Sequence, residues 1–427
     1  MIPRGRLDYR WSDLAAGLLH CFWPGSRRSA EARVVELSVG SEGFACLSVR
    51  SGLDLVLAEL DFPRGSEILV SAVTIRDMVH IIEEHGLVPV PVDLDMDWLT
   101  LDLDSLRAAI SPRSRALLVA HLFGSRMDLA PVAEVAKKYS LVLIEDCAQS
   151  FMGDGYWGHA NSDVTLTSFG PIKSASALGG AVALVKDPDL CGRLEDRQAE
   201  YPVQRRWWFL KRVARFALIR AMMYPLPFSL FRSVCRLLGK RHDDVFSQSI
   251  RGFGDARLFW KIRHQPGYPL LALLARRIRS YGPRQIDRRA AVAEAADALM
   301  RDVRRPGRRA ELHSHWVFPV LVRDPDALAE HLWRQGLDAT RGRWSLYVVQ
   351  EPDHLPRLRA AEANAVMSQV LYLPVYPAVP RRHIRRLAAA VADFTRRSDA
   401  RVPAPPTAPG ETDRAPTIHP EPQEESA

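Results

Sequence analysis

An α/β fold, with a mostly parallel sheet in a large domain and a smaller α+β domain behind it, is what this sequence predicts. Three observations carry that reading. Six short apolar runs, at 68–73, 88–93, 116–121, 141–146, 164–169 and 181–185, are rich in Val, Leu and Ile and bounded by Gly, Pro, Asp or Ser. Continuous apolar runs of this length belong to strands covered on both faces. Helical stretches such as 130–139 alternate with them, as crossovers between parallel strands require. Late in the chain the order changes to an extended run (316–322), a helix (326–335, ending at Gly336), another extended run (371–374) and a final helix near 381–396.

The predicted organisation follows. Residues 1–30 form an N-terminal extension. Residues 31–304 form the large domain with its linking helices, one or two of them within 270–304. Residues 205–241 form a basic helical insertion, and 305–400 the small domain. Residues 402–427 hold seven prolines, five acids and one arginine. So little apolar surface cannot repay ordering entropy, and a disordered tail is expected over 401–427.

The 427 residues carry 58 Lys plus Arg against 50 Asp plus Glu, a net +8. With 47% hydrophobic and 25% charged residues, collagen-like, wholly disordered and disulfide-scaffold classes are excluded. The charge is local: 205–241 holds ten basic residues and no acid, so +8 less ten leaves the rest at −2. One basic stretch without a recognition motif argues against nucleic acid. Five widely spaced cysteines with no Cys-x-x-Cys pair suit a reducing cytoplasm. The opening residues, with Asp13 and His20 in a short apolar run, make a poor signal peptide, and the candidate span 221–231 holds two prolines and stops well short of the ~20 residues a spanning helix needs.

Three features fall where ligands bind in open parallel sheets, at the carboxyl ends of strands. Asp146 closes the LVLIED run and is costly to bury unless it meets a cation or donors. Lys173 lies in SFGPIKSASALGG (168–180), a loop of small residues, where partial desolvation would lower its pKa and make it a nucleophile for carbonyls. Ser51-Gly52 opens a helix, and helix N-termini offer free amides to phosphate. A lysine, an acid for a ring nitrogen and a phosphate cradle together specify pyridoxal 5'-phosphate.

The chain resembles the DegT/StrS family of pyridoxal-phosphate sugar aminotransferases, which have the aspartate-aminotransferase-like (type I) fold. The resemblance spans about 36–394 and rests on Ser51-Gly52-Leu53, the stretch 65–75, PVPVDLD (89–95), HLFGSRMDL (121–129), IEDCAQS (144–150), SFGPIK (168–173) with Gly179-Gly180, and LYLPVYP (371–377). It implies that Lys173 binds the cofactor covalently and that Asp146 pairs with the pyridinium. Gln149 then lies near the ring hydroxyl, and Ser168 with the amides of Ser51-Gly52 holds phosphate. It also implies amino transfer from an amino acid, glutamate, to a keto group of a nucleotide-linked sugar in cell-surface polysaccharide or secondary-metabolite biosynthesis, by a homodimer whose active sites lie at the subunit interface.

The chain departs from that pattern at Leu53, where a threonine hydroxyl is lost, and at Ile75, where an aromatic usually stacks on the ring. A partner-subunit asparagine of the family would align near Lys261-Ile262-Arg263-His264. His313-Ser314-His315 offers either a metal pair or an exposed strand edge, and His121 a pocket wall. On a helical wheel Arg205, Lys211, Arg212 and Arg215 share an arc of ~120°, with Phe209, Leu210, Val213, Phe216 and Ala217 opposite. That segment reads either as an interfacial helix giving peripheral membrane contact or as a hairpin packed on the protein. Two other functions stay open: a sugar dehydratase of the same fold, disfavoured because such enzymes replace the lysine with histidine, and a non-catalytic scaffold at a membrane surface.

Overall fold

The structure, a computed structural model, describes residues 1–38, 42–250, 257–342 and 346–399. The predicted tail lies outside the described residues. All six apolar runs are strands of one seven-stranded sheet, in the spatial order Gly43–Cys46, Ala181–Val185, Val164–Ser168, Val142–Asp146, Ser114–Ala120, Glu67–Ser71, Val88–Val92. Ala181–Val185 runs antiparallel to both neighbours, and every other pairing along the sheet is parallel.

Strand alternation divides the core between the two faces. Leu69, Leu117, Val119 and Leu143 pack on one side, and Ile68, Val70, Ala116, Leu118 and Ile144 on the other. Both sets are almost fully buried, which explains why these strands read as unbroken apolar runs. A separate cluster, from Ala293 to Val391, joins the helices Pro325–Arg334 and Arg381–Asp399 to the paired strands Pro319–Leu321 and Val370–Tyr372.

The basic segment forms two helices, Arg206–Met222 and Pro225–Leu237, broken at Met223 and Tyr224 just before Pro225 opens the second. The first buries Phe209, Val213, Phe216 and Ile219 against the helices Trp11–Phe22 and Tyr268–Ser280. Gly17 allows the close crossing, since a Cβ there would lie 3.3 Å from both Leu273 and Val213. The opening residues are therefore packed into the large body. Asp13 accepts from Arg277 at 3.0 Å, and Arg277 also donates to the Asp8 carbonyl at 2.8 Å. Among the described residues no helix is long and apolar enough to cross a membrane.

Candidate active site

The carboxyl ends of the parallel strands open into one cavity of about 930 Å³, bordered by Ser48, Thr74, Ala120, Asp146, Ser168 and Lys173. Each sits at or just past a strand end because successive strands deliver their C-termini to the same edge. Gly52 is drawn against Leu166 on the neighbouring strand, where a Cβ would meet its Cδ2 at 2.8 Å.

Asp146 is buried at the end of its strand. Oδ1 accepts from the Ala148 amide at 2.8 Å, the only side-chain hydrogen bond of Asp146 among the described residues. Burial raises its pKa, opposed by the Ala148 hydrogen bond and then by the charge of Lys173. Lys173 lies in a tight loop, its amide donating to the Gly170 carbonyl at 3.0 Å and Ala177 closing back on Phe169 at 3.0 Å. Burial brings its amine down to about 8, with Asp146 opposing that shift and Arg50 adding to it. The ammonium stands 4.6 Å from the centroid of the Trp316 ring, whose indole donates to the Ile172 carbonyl at 2.9 Å.

Gln149 borders the same cavity, with its carbonyl oxygen taken by the Phe123 amide at 3.0 Å. Ser168 borders it too, its hydroxyl accepting weakly from Gly170 at 3.4 Å. Four of the six predicted site residues thus meet around one space. The other two do not border it. The helix Val49–Leu60 starts earlier than expected, capped by Ser48, whose Oγ accepts from the Ser51 amide at 3.2 Å. The Gly52 amide is already spent on the Ser48 carbonyl at 3.0 Å. Ser48, Val49 and Arg50 face the cavity in their place. Leu53 is fully buried core, so its missing hydroxyl leaves no gap in the cavity wall, whereas Ile75 does border it.

His121 is not a pocket wall. It is fully buried; its Nδ1 accepts from the Met127 amide at 3.2 Å and its Nε2 meets Glu145 at 2.9 Å. His121, Glu145 and Cys147 are the one group of three clustered metal-type donors among the described residues. With both imidazole nitrogens engaged in this way, His121 has no lone pair free for an ion. His313 and His315 are half-buried rather than on an exposed edge, with rings stacked 4.5 Å apart. Burial depresses them to about 3 and about 4, so both are neutral, and His315 borders the cavity. Arg263 of the 261–264 stretch is bound to Asp54 at 2.9 Å, and none of those four residues borders this chain's cavity.

Three parts of the wall escaped the sequence reading. Residues 4–8, assigned to an extension, line the cavity, and Asp8 accepts from the Ala175 amide at 3.1 Å and from Arg289 at 2.9 Å. Trp316 was read as part of a strand that begins only at Pro319. The basic helix faces the cavity through Trp208, Lys211, Arg212, Arg215 and Phe216. Only the last carried a signal, the basic arc on the wheel.

The donor set fits pyridoxal 5'-phosphate: an amine lowered toward neutrality, a buried carboxylate whose second oxygen has no donor among the described residues, and a capped helix N-terminus with a serine hydroxyl on the same cavity. Residues 28–197 match the model of the DegT/DnrJ/EryC1/StrS aminotransferase family. Over 170 residues the chain is 32% identical to a UDP-N-acetyl-3-dehydro-alpha-D-glucosamine 3-aminotransferase of Acidithiobacillus ferrooxidans, covering 38% of this chain and 45% of that protein. It is 33% identical over 165 residues to a dTDP-3-amino-3,4,6-trideoxy-alpha-D-glucose transaminase of Micromonospora megalomicea subsp. nigra, covering 37% and 44%. The matched stretch therefore spans less than half the length of these relatives. The crystal structure of the aminotransferase TlmJ from Streptoalloteichus hindustanus shares the fold, with a TM-score of 0.66 and 19% identity over 92% of this chain and 99% of that one. The similarity to the DegT/DnrJ/EryC1/StrS aminotransferase family is thus carried by residues 28–197.

Proposed function

We propose that the protein is a pyridoxal-phosphate-dependent aminotransferase that moves an amino group from an amino acid, glutamate, to a keto group of a nucleotide-linked sugar. The observation that carries this reading is the pairing of Lys173 and Asp146 across one cavity at the carboxyl edge of the sheet. When bound, the cofactor supplies an electron sink for negative charge at the carbon bearing the amino group. Lys173 would hold it covalently and, once displaced by substrate amine, would take and return the proton at that carbon, a task suited to an amine near neutral pKa. Asp146 would keep the proton on the ring nitrogen through its open oxygen, and Trp316 would hold the lysine amine in place. Ser168 and the amides at Ser48–Arg50 would take the phosphate. A lysine at position 173 weighs against the dehydratase reading, and the relatives' names favour amino transfer.

The reading places the enzyme in the cytoplasm as a homodimer, the latter resting on family resemblance. It includes peripheral membrane contact through 205–241, supported by Leu226, Leu230 and Leu237, exposed at helical spacing beside Arg232 and Arg236.

Purified protein incubated with pyridoxal 5'-phosphate should turn yellow, and glutamate should shift that absorbance toward the pyridoxamine form. A protein that takes up no cofactor would instead favour the scaffold. Sedimentation velocity should give twice the chain mass, and salt-sensitive sedimentation with anionic liposomes should be lost on deleting 205–241.

A further inference from the structure

We propose that the basic helix Arg206–Met222 supplies, from within the same chain, a cationic wall of Lys211, Arg212 and Arg215 that binds a phosphate group in the Lys173 cavity. It rests on the cofactor reading above and deepens it, by adding a cationic side to the phosphate site assigned there to the helix N-terminus and Ser168.

Placement is the first argument. Trp208, Lys211, Arg212, Arg215 and Phe216 follow one another at i, i+3, i+4, i+7 and i+8, a single helix face, and all five border the cavity. The arginines and lysine of this face are therefore turned to the site, not solely to solvent or a membrane.

Charge is the second. Three arginines of the cavity wall have carboxylate partners, Arg50 with Asp77, Arg289 with Asp8 at 2.9 Å and Arg4 with Asp338 at 2.8 Å, whereas Arg6 and Arg76 stand over the Tyr224 and Tyr347 rings. Among the described residues Lys211, Arg212 and Arg215 have no carboxylate partner. Arg212 donates to the Leu178 carbonyl at 3.4 Å, Arg215 to the Ser249 carbonyl, and Lys211 stands 5.1 Å from the centroid of the Trp207 ring. Burial, with Arg215 alongside, brings the half-buried Arg212 guanidinium down to about 10. Arg212 is half-buried and Lys211 and Arg215 are exposed beside it; three neighbouring cations without a carboxylate partner repel one another, and an anion relieves that repulsion.

The third argument is what Arg212 lies against. A Cβ on Gly179 would come within 2.5 Å of its Nη1, so the guanidinium rests on bare backbone. The Gly179 amide donates to the Phe169 carbonyl at 3.2 Å and the Gly180 amide to the Leu47 carbonyl at 3.0 Å. Phe169 follows Ser168, and Leu47 precedes Ser48, the cap of the cavity-facing helix. A planar fork of donors, a helix N-terminus and a hydroxyl thus border one cavity and are linked through the Gly179-Gly180 backbone, and together they offer the chemistry that recognises a phosphate ester. Two phosphates could fill it: that of the cofactor, or the diphosphate of a nucleotide-linked substrate.

The test uses full-length protein and the variants Arg212→Gln and Arg212→Lys, with thermal melts to confirm folding. Apoprotein is titrated with pyridoxal 5'-phosphate and, in parallel, with pyridoxal, which lacks the phosphate; holoenzyme is titrated with UDP and with inorganic pyrophosphate. If the wall holds the cofactor phosphate, Arg212→Gln weakens pyridoxal 5'-phosphate by about tenfold or more while pyridoxal is unchanged, and Arg212→Lys recovers part of the loss. If it holds the substrate diphosphate, cofactor affinity stays and UDP and pyrophosphate weaken by a similar factor. Affinities for all three phosphate ligands within twofold of wild type in a folded Arg212→Gln protein would overturn the proposal. Wild-type protein that binds neither pyridoxal nor its phosphate would overturn the aminotransferase reading instead, and pyrophosphate titration of that same protein would still decide for or against the wall.

Discussion

Glu145 and Asp146 are neighbours on one strand, both buried, and strand alternation turns them to opposite sides. Glu145 is saturated: it meets His121 at 2.9 Å and accepts from Tyr156 at 2.6 Å, the His159 amide at 2.8 Å and Ser162 at 2.8 Å, with Cys147 and Thr165 at longer range. Although burial opposes it, this set of donors holds its pKa well below the ordinary carboxylate range. Asp146 keeps one backbone donor, and burial moves its pKa upward. A carboxylate that the fold has satisfied serves the fold, and one left short of donors at a cavity wall is available to a ligand.

That contrast can be broken by experiment, and the largest effect is expected at the amine facing Asp146. Lys173→Ala should abolish the yellow absorbance of the cofactor-loaded protein and lower amino transfer by roughly 10²–10⁴-fold from lost proton transfer alone; single-turnover assays would show it. Asp146→Asn should lower turnover by roughly 10²–10³-fold, by analogy with loss of one preorganised electrostatic partner. Its folded protein should melt no lower than wild type, because the substitution removes a carboxylate that burial disfavours. A clear drop in melting temperature would show that Asp146 serves the fold as Glu145 does.

Glu145→Gln should do the reverse. Replacing an acceptor oxygen by an amide leaves a buried donor unpaired and should destabilise the protein by about 1–3 kcal/mol, measured by denaturant unfolding, while the folded fraction still takes up cofactor. The smallest effect is a titration. Below pH 8 Lys173 is protonated in both folded and unfolded chains, and its burial cost is present in full. Between about 8 and its ordinary 10.5 the unfolded chain holds a proton that the folded one has lost, so this group's contribution to stability rises with pH. Labelling of Lys173 in the apoprotein with an amine-reactive reagent should follow an apparent pKa near 8, and a midpoint near 10.5 would remove the argument for its activation.

Much of this was legible in the sequence for a physical reason. Strands buried on both faces must be apolar throughout, so the runs at 116–121 and 141–146 announced themselves, and Asp146 and Lys173 stood out as polar breaks in apolar or small-residue surroundings. Ser51 and Gly52 were displaced because the cap that decides where the helix starts is the Ser48 hydroxyl, a choice local propensity leaves open among Ser48 and Ser51. Trp316 and residues 4–8 were invisible because their roles depend on contacts between distant parts of the chain. No periodicity in residues 4–8 reveals that Asp8 will meet Ala175 and Arg289.

Those distant contacts bear on the order in which the molecule comes together. Arg4 is bound to Asp338 while Asp8, four residues on, is bound to the loop that carries Lys173. Pairings across more than 300 and more than 160 residues bear a large loop-closure cost and are expected to form after the local helices and the sheet. The cavity wall is thus among the last parts to be assembled. Cofactor uptake, followed during refolding, should lag the recovery of secondary structure and would report the moment at which these distant segments of the chain have found each other.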